Sequence, residues 1–335
     1  MHQNCVFRFA DSERELLKSA LEKITYDPSG ATRYITESRI VGHNALPRRI
    51  IDALNEQKAS IHPKPYLLFE NLPTDHEVFT SPDPKVFTPS AKTGFVSENL
   101  VIAFASLIGE PYSIFFEGSD IVNNLVPTAS SKQEYTGLGS EVELDFHIEN
   151  AALKLMGDNN FSPLGLLLTG VRHDLEGPLT RLSDAREALK LLTAADLAAL
   201  RAPLFKIKVP YRWRQGAVME TEPMAVVQGE LAYPEISVAF YPGMITACDD
   251  EAAAVLQRFY EAIRAVSIAV DIKPGQLLYI DNRFTLHSRD KFFGTLDPTG
   301  RPMRWVQRVF VAPHLWNHRH LTAVKSRVFQ PLAVA

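Results

Sequence analysis

The sequence is poor in cysteine, with Cys5 and Cys248 as its only two. Neither has partners at the spacing of zinc ligands, so a cysteine zinc site is not indicated. A disulfide between them is not suggested either, and a reducing cytoplasm is the expected compartment.

The chain also lacks long apolar runs and a strong charge of either sign. The longest apolar run, near GLLLTGV, is too short to cross a bilayer. The N-terminus MHQNCVFRFADSERELL has no basic start followed by an apolar core, which argues against a secretory signal. A net charge of -4 without long runs of one sign argues against nucleic acid and anionic membrane surfaces as partners.

Apolar residues are plentiful enough for a large core. The chain has 335 residues, of which 46% are hydrophobic, so one elaborated domain or two ordinary ones would fit. No internal repeat, low-complexity segment or clear linker divides it.

Residue periodicity predicts an α+β order, with helices first and strands with helical insertions afterwards. Helices are predicted over 12–24, 46–58, 97–109, 183–192, 194–202 and 249–269. Strands are predicted over 64–73, 121–127, 142–149, 165–172, 204–213, 236–242, 273–287 and 304–312, and a surface loop over 81–89. This order favours an antiparallel barrel or sandwich braced by helices.

The stretch SEVELDFHIEN (140–150) alternates apolar and polar residues at the period of a strand. One face is apolar, and the other carries four carboxylates and one imidazole without any positive charge. Such a face is either simply solvated, as antiparallel strands commonly are, or it holds a cation. The strand alone leaves both interpretations open.

His147 and Glu149 lie two residues apart, so both project from one face and can converge on one ion. A metal would need a third ligand, and His287 fits because it follows the strand pattern QLLYIDN. Two histidines and one carboxylate form the facial triad of non-heme Fe(II) oxygenases. By itself, however, His-x-Glu with a later histidine is a weak signal.

The stretch RWVQRVFVA places Arg304 and Arg308 on one face of an otherwise apolar strand. Buried arginines are costly unless each meets an anion, and the guanidinium group suits a carboxylate. The alternative is a pair of surface arginines on an edge strand.

Together, GSEVELDFHIENA, LLYIDNRFTLHSR and RWVQRVF resemble the clavaminate-synthase-like branch of the Fe(II)/2-oxoglutarate-dependent oxygenases, which includes hydroxylases of free arginine, asparagine and lysine. The resemblance covers about residues 64–312. It implies one oxygenase domain over 1–335, with a helical region to about 110, a double-stranded β-helix (jelly-roll) core over about 111–312, and a tail over 313–335.

The resemblance also implies the cofactor set and the site residues. Fe(II), 2-oxoglutarate and O2 would hydroxylate an amino-acid-like small molecule and release succinate and CO2. His147, Glu149 and His287 would be the metal ligands, and Glu141, Glu143 and Asp145 would be exposed or would orient them. Arg304 would hold the distal carboxylate of 2-oxoglutarate, with Thr169 assisting it unless it is a simple strand threonine, and Arg308 would bind the substrate α-carboxylate.

Two departures from the family bear on the substrate. The spacing from His287 to Arg304 is longer than in relatives, which changes the mouth of the site. In VAFYPGM (238–244), Tyr241 stands where basic-amino-acid hydroxylases carry aspartates, so a neutral or non-basic substrate is expected. Asn123 is a candidate for the pocket wall, or else a turn or edge residue.

Two other classes of function remain open from the sequence. A zinc hydrolase could use the same three ligands with an activated water. A binding protein on the same fold could have lost its chemistry. The oligomeric state is not indicated.

Overall fold

The computed structural model describes residues 5–83, 91–153, 161–210 and 220–330. Helices in these ranges are α1 (Asp11–Leu21), α2 (Thr32–Ala45), α3 (Arg48–Ala59), α4 (Val96–Ile108), α5 (Ala185–Leu189), α6 (Ala194–Leu200) and α7 (Asp250–Ala265). Strands are β1 (Val6–Arg8), β2 (Tyr66–Glu70), β3 (Glu77–Val78), β4 (Lys92–Thr93), β5 (Glu110–Ile114), β6 (Asn123–Leu125), β7 (Leu144–His147), β8 (Gly165–Arg172), β9 (Thr180–Asp184), β10 (Phe205–Ile207), β11 (Val227–Gln228), β12 (Glu235–Ile236), β13 (Ile245–Ala247), β14 (Ile268–Val270), β15 (Leu277–Asp281), β16 (Thr285–Arg289), β17 (Trp305–Ala312), β18 (Thr322–Lys325) and β19 (Val328–Gln330).

The largest sheet has the order β1-β2-β15-β8-β17-β5-β19-β18, and β6 also pairs with β17. Its centre is antiparallel: β8 pairs with β15 on one side and with β17 on the other. A second sheet has the order β14-β9-β16-β7 and is antiparallel throughout.

Each face of the large sheet packs in a different core. Leu167, Val309 and Val311 pack with helices α1 to α4. On the opposite face, side chains from β8, β15 and β17 share a core with the second sheet and with α5 to α7. Successive strand residues point to opposite faces, so one strand supplies both cores. The chain therefore forms a helical layer, a large sheet and a smaller facing sheet.

Most helix predictions are confirmed within a few residues, and the errors have physical causes. The helix predicted over 183–192 begins only at Ala185, where Asp184 accepts a hydrogen bond from the Arg186 N–H. The preceding residues form β9. Helix α2 was not predicted from the sequence, because its β-branched residues have low helix propensity. That helix is stabilised by burial of one face, including Tyr34 and Ile35.

Strand predictions are less accurate where loops interrupt the pattern. The single strand predicted over 273–287 is two strands, β15 and β16, which belong to different sheets. The segment predicted over 236–242 is mostly irregular apart from the end of β12 and an isolated bridge at Ala239. Parts of the predictions over 81–89 and 204–213 lie outside the described residues. Within the described ranges, no helix has the length and apolar character needed to cross a bilayer.

Candidate active site

His147, Glu149 and His287 converge between the two sheets. One ligand atom from each lies within 4.8 Å of the others, and among the described residues they form the only such trio of His, Cys, Asp or Glu. His147 and His287 are direct partners across β7 and β16, with ring centroids 4.3 Å apart. The Nε2 atom of His287 lies 3.6 Å from Oε1 of Glu149. Residues far apart in sequence thus present two imidazoles and one carboxylate to a common point.

A β-bulge shapes this point. His287 pairs with His147, but Arg289 pairs with Leu144, so β7 has one extra residue between the two pairs. The strict alternation expected for this strand is broken there. As a result Leu144 lines the same cavity as His147, although the two lie three residues apart.

Hydrogen bonds that involve the main chain fix the His147 ring and the backbone of Glu149. The Nδ1 atom of His147 lies 2.8 Å from the carbonyl oxygen of Asp145, which leaves Nε2 directed at the common point. Asn282 holds Glu149 from both sides: its Oδ1 accepts from the Glu149 N–H at 2.8 Å, and its Nδ2 donates to the Glu149 carbonyl at 3.2 Å. Asn150, the next residue, has φ 55°, in the left-handed region, so the extended backbone does not continue beyond Glu149.

The charge states of these groups suit a divalent cation. Burial, reinforced by the nearby His287, lowers the pKa of His147 to about 3, so its imidazole is neutral at physiological pH. Burial alone would raise the pKa of Glu149, but the charge of Arg308, the hydrogen bond with His287 and the two nearby imidazoles together outweigh it and hold this pKa well below its usual range. Neutral imidazole and ionised carboxylate are the forms that bind metals.

The three residues lie in a cavity with about 890 Å³ of space, mouth included. Its described walls are formed by Glu117, Leu125, Tyr135, Thr136, Gly137, Leu144, His147, Glu149, Asn150, Leu166, Leu168, Thr180, Pro210, Tyr241, His287, Ser288, Arg289, Arg304 and Arg308. The wall is therefore apolar along β8 and strongly charged at its two ends.

Arg308 occupies one end and is bound by carboxylates. Its Nη1 donates to Glu149 Oε1 and its Nη2 to Glu117 Oε2, each at 3.0 Å. A third contact, at 3.3 Å, joins Nη2 to Oδ1 of Asn123. Arg304 lies at the other end, where its guanidinium makes no ion pair with any described carboxylate and lies 5.7 Å from the Phe292 ring.

Two predicted binding residues do not line the cavity. Thr169 lies on the opposite face of β8 from Leu166 and Leu168, and its hydroxyl donates to the Gln276 carbonyl at 2.9 Å. The period of two places it towards the helices. Asn123 lies behind Arg308, with its Nδ2 bonded to Ser113 Oγ at 2.7 Å. Its effect on a ligand would pass through Arg308.

Tyr241 does line the cavity, close to the metal-ligand candidates. Its ring lies edge-on to His147, with centroids 5.5 Å apart, and stacks on Tyr135 at 6.0 Å. Two aromatic rings thus form the wall beside His147.

The acidic residues that precede His147 stay outside the cavity walls. Glu141 pairs with Lys132 at 3.0 Å, Glu143 is exposed, and Asp145 Oδ2 accepts from the Tyr260 hydroxyl at 2.7 Å. The polar side chains at the start of this segment are therefore solvated or bonded to neighbouring residues. Only those at its end, His147 and Glu149, face the cavity.

Among the cavity residues that the sequence analysis missed are Glu117, Thr180 and Arg289. Arg289 lies two residues beyond His287, so strand periodicity could have identified it. Thr180 sits opposite Arg289 in β9, and Glu117 follows β5 in a turn. Neither carries a local signal, because only strand pairing and the chain path bring them to the site.

Comparison with known proteins identifies the family. Residues 93–310 match the family model described as taurine catabolism dioxygenase TauD, TfdA family. An L-lysine 3-hydroxylase from Catenulispora acidiphila is 25% identical over 334 residues, covering 97% of this chain and 88% of that protein. An L-asparagine oxygenase from Streptomyces coelicolor is 25% identical over 313 residues, covering 92% and 90%.

A solved structure shares the fold. Asparagine oxygenase in complex with Fe(II), 2S,3S-3-hydroxyasparagine and succinate has a TM-score of 0.82 and 22% identity, covering 97% of this chain and 99% of that one. The resemblance found in the three sequence motifs is thereby confirmed. The chain belongs to the TauD/TfdA family of 2-oxoglutarate-dependent dioxygenases.

Proposed function

We propose that this chain is an Fe(II)- and 2-oxoglutarate-dependent oxygenase that hydroxylates an unactivated carbon of an amino acid or amino-acid derivative. The observation that carries the proposal is one cavity with a His-Glu-His trio on its wall and arginines at opposite ends. Relatives named as lysine and asparagine oxygenases support the substrate class.

The proposal extends to the architecture. Two sheets, the larger one antiparallel at its centre, face each other around the trio, which is consistent with a double-stranded β-helix with α1 to α4 packed on its outer face. Residues 1–335 would then form a single oxygenase domain, because β1 and β2 near the N-terminus join the same sheet as β17.

His147, Glu149 and His287 would hold the iron. Two neutral imidazoles and one ionised carboxylate are the donor set typical of non-heme Fe(II) oxygenases. Bound iron supplies the activation of O2, coupled to conversion of 2-oxoglutarate to succinate and CO2 and to hydroxylation of the substrate. The protein's own task is to orient both organic molecules and to exclude water.

Arg304 would bind the distal carboxylate of 2-oxoglutarate. Burial lowers the pKa of Arg304 to about 10, although Asp174 and Asp271 oppose this shift, so the group stays charged at neutral pH. A partly buried guanidinium without an ion-pair partner among the described residues is stabilised when a carboxylate binds. Thr180, rather than Thr169, offers a hydroxyl to the same cavity.

Arg308 and Glu117 would bind the amino acid by its two charged groups. They line the same end of the cavity, 3.0 Å apart, with opposite charges. A guanidinium beside a carboxylate complements an α-carboxylate beside an α-ammonium group. The two arginines proposed to bind carboxylates are four residues apart along the chain, or about 13 Å by strand rise.

The side chain of the substrate would be neutral or non-basic. Glu117 and Glu149 are the only acidic residues in the described cavity wall, and both are bonded to Arg308. A buried cationic side chain would lack a counter-ion there. Tyr241 offers an aromatic wall instead.

The test is a panel of free L-amino acids incubated with the purified protein, Fe(II), ascorbate and 2-oxoglutarate. Mass spectrometry should show one added oxygen on one amino acid and an equal amount of succinate. Replacing Fe(II) by Zn(II) should abolish both products, whereas turnover with Zn(II) alone would favour the hydrolase alternative. Absence of succinate with every amino acid and with iron bound would contradict the proposal.

A further inference from the structure

Arg289 is the third arginine of the cavity and has no role in the function proposed above. It follows His287 by two residues in β16 and faces Thr180 across β9. Its side chain is buried, and it lines the same cavity as Arg304. The same end of the cavity therefore holds two guanidinium groups.

Main-chain oxygens alone satisfy the hydrogen bonds of Arg289. Its Nη1 donates to the carbonyl of Asp290 at 3.1 Å and more weakly to that of Ser140 at 3.4 Å. Its Nη2 donates to the carbonyl of Val142 at 3.1 Å. The buried Nε has no hydrogen-bond partner, and no carboxylate forms an ion pair with this guanidinium within the described ranges. Carbonyls orient the group but do not neutralise its charge.

The two guanidinium groups flank one aromatic ring. The Cζ atoms of Arg289 and Arg304 lie 5.4 Å and 5.7 Å from the centroid of Phe292. Arg289 is buried and Arg304 is partly buried, so two neighbouring guanidinium groups without an ion-pair partner among the described residues are unfavourable until an anion binds.

The opposite end of the cavity differs in its charge. There Arg308 forms ion pairs with both Glu117 and Glu149, so its positive charge is fully matched by negative groups. The end formed by Arg289 and Arg304 has no acidic residue in the described wall. This difference in charge suits the end with Arg289 and Arg304 to an anionic group and the end with Arg308 and Glu117 to a zwitterion.

We propose that Arg289 is a second cationic binding residue for the distal carboxylate of the 2-oxo acid, acting beside Arg304. The proposal rests on the proposed function, since it assumes that the 2-oxo acid is bound at the His-Glu-His trio. Arg289 lies about 7 Å beyond His287 by strand rise, a span that a five-carbon diacid can bridge. The positive charge of Arg289 attracts the carboxylate through the low-dielectric cavity. The main-chain carbonyls that accept from Arg289 keep its guanidinium in position.

The experiment compares two 2-oxo acids of equal length. 2-Oxoglutarate carries the distal carboxylate, and 2-oxopentanoate ends in a methyl group. Their dissociation constants are measured by calorimetry on the Fe(II)-loaded protein without oxygen, so that binding rather than turnover is read. The variants are Arg289→Gln, which keeps N–H donors but removes the charge, and Arg289→Lys, which keeps the charge. Arg181→Met on the neighbouring strand is the control, because Arg181 pairs with Asp290 and does not line the cavity.

We expect Arg289→Gln to weaken 2-oxoglutarate binding by roughly tenfold or more and to leave 2-oxopentanoate binding unchanged. Arg289→Lys should retain most of the preference for the diacid, and Arg181→Met all of it. Equal weakening of both acids in Arg289→Gln would show a purely structural role and overturn the inference. So would an unchanged preference, or a selective loss of amino-acid binding. A wild-type protein that binds neither 2-oxo acid would instead contradict the proposed function itself.

Discussion

The guanidinium of Arg308 is hydrogen-bonded to the carboxylate of Glu149, with 3.0 Å between Nη1 and Oε1. A residue proposed to bind the substrate thus contacts a residue proposed to bind the metal. Any ligand that draws Arg308 towards itself changes the electrostatic environment of Glu149. Substrate and metal binding should therefore be energetically coupled.

The first prediction concerns the metal centre. Replacing His287 with alanine leaves two of the three proposed ligands, so we expect Fe(II) affinity to fall sharply and turnover to be lost. Equilibrium titration with Fe(II) or Co(II) measures the first effect independently of the second. His43→Ala, at an exposed site on α2, is the control and should behave as wild type. Near-normal metal binding by His287→Ala would rule out the trio.

Arg304, which immediately precedes β17, and Arg308 within it should have different effects in steady-state kinetics. Arg304→Ala removes the contact with the distal carboxylate, and we expect the KM for 2-oxoglutarate to rise by ~30–150-fold, which corresponds to about 2–3 kcal/mol. Arg308→Ala should mainly raise the KM for the amino acid. The reverse pattern would mean that the two roles are exchanged.

Asn282 should act on the metal through the backbone of Glu149. Its side chain bonds both the N–H and the carbonyl of that residue, and it also donates to the Pro163 carbonyl at 3.0 Å. Asn282→Asp removes the amide donors, and we expect metal affinity to fall by about 10–100-fold. Metal titration and thermal melting of the metal-free protein distinguish this from general destabilisation. A lower melting temperature with unchanged metal affinity would argue against a positioning role.

The substrate preference should depend on residue 241. If the wall near Tyr241 excludes basic side chains for want of a counter-ion, Tyr241→Asp should raise kcat/KM for L-lysine relative to the native substrate by about tenfold. Tyr241→Asn is the matched neutral control and should not do so. A wild-type enzyme whose highest kcat/KM is for L-lysine or L-arginine would contradict the neutral-substrate assignment without affecting the oxygenase assignment.

Local spacing was enough to single out several residues that the structure brings to the cavity. His147 and Glu149 were identifiable from their separation of two residues, and Arg308 from its place on an apolar strand. Their convergence with His287 was predictable only through the order of three motifs. The fold class was predictable because helical and strand periodicities separate clearly along this chain.

The same reasoning failed where tertiary pairing decides which way a side chain points. Thr169 has the residue type expected for a ligand contact, but the pleat of β8 turns it towards the helices. Thr180 reaches the cavity only because β9 pairs with β16. The bulge between Leu144 and His147 could not be seen either, since it arises from the register with a strand far away in sequence.

The pairing of His147 with His287 has a consequence for stability as well as for catalysis. A metal ion bound there would cross-link two segments from distant parts of the chain, much as a covalent bridge would. Binding to the folded state alone raises the free energy of unfolding in proportion to the logarithm of metal concentration over its dissociation constant. Loss of iron would thus loosen the smaller sheet itself, and the midpoint of thermal unfolding should report how fully the protein is loaded.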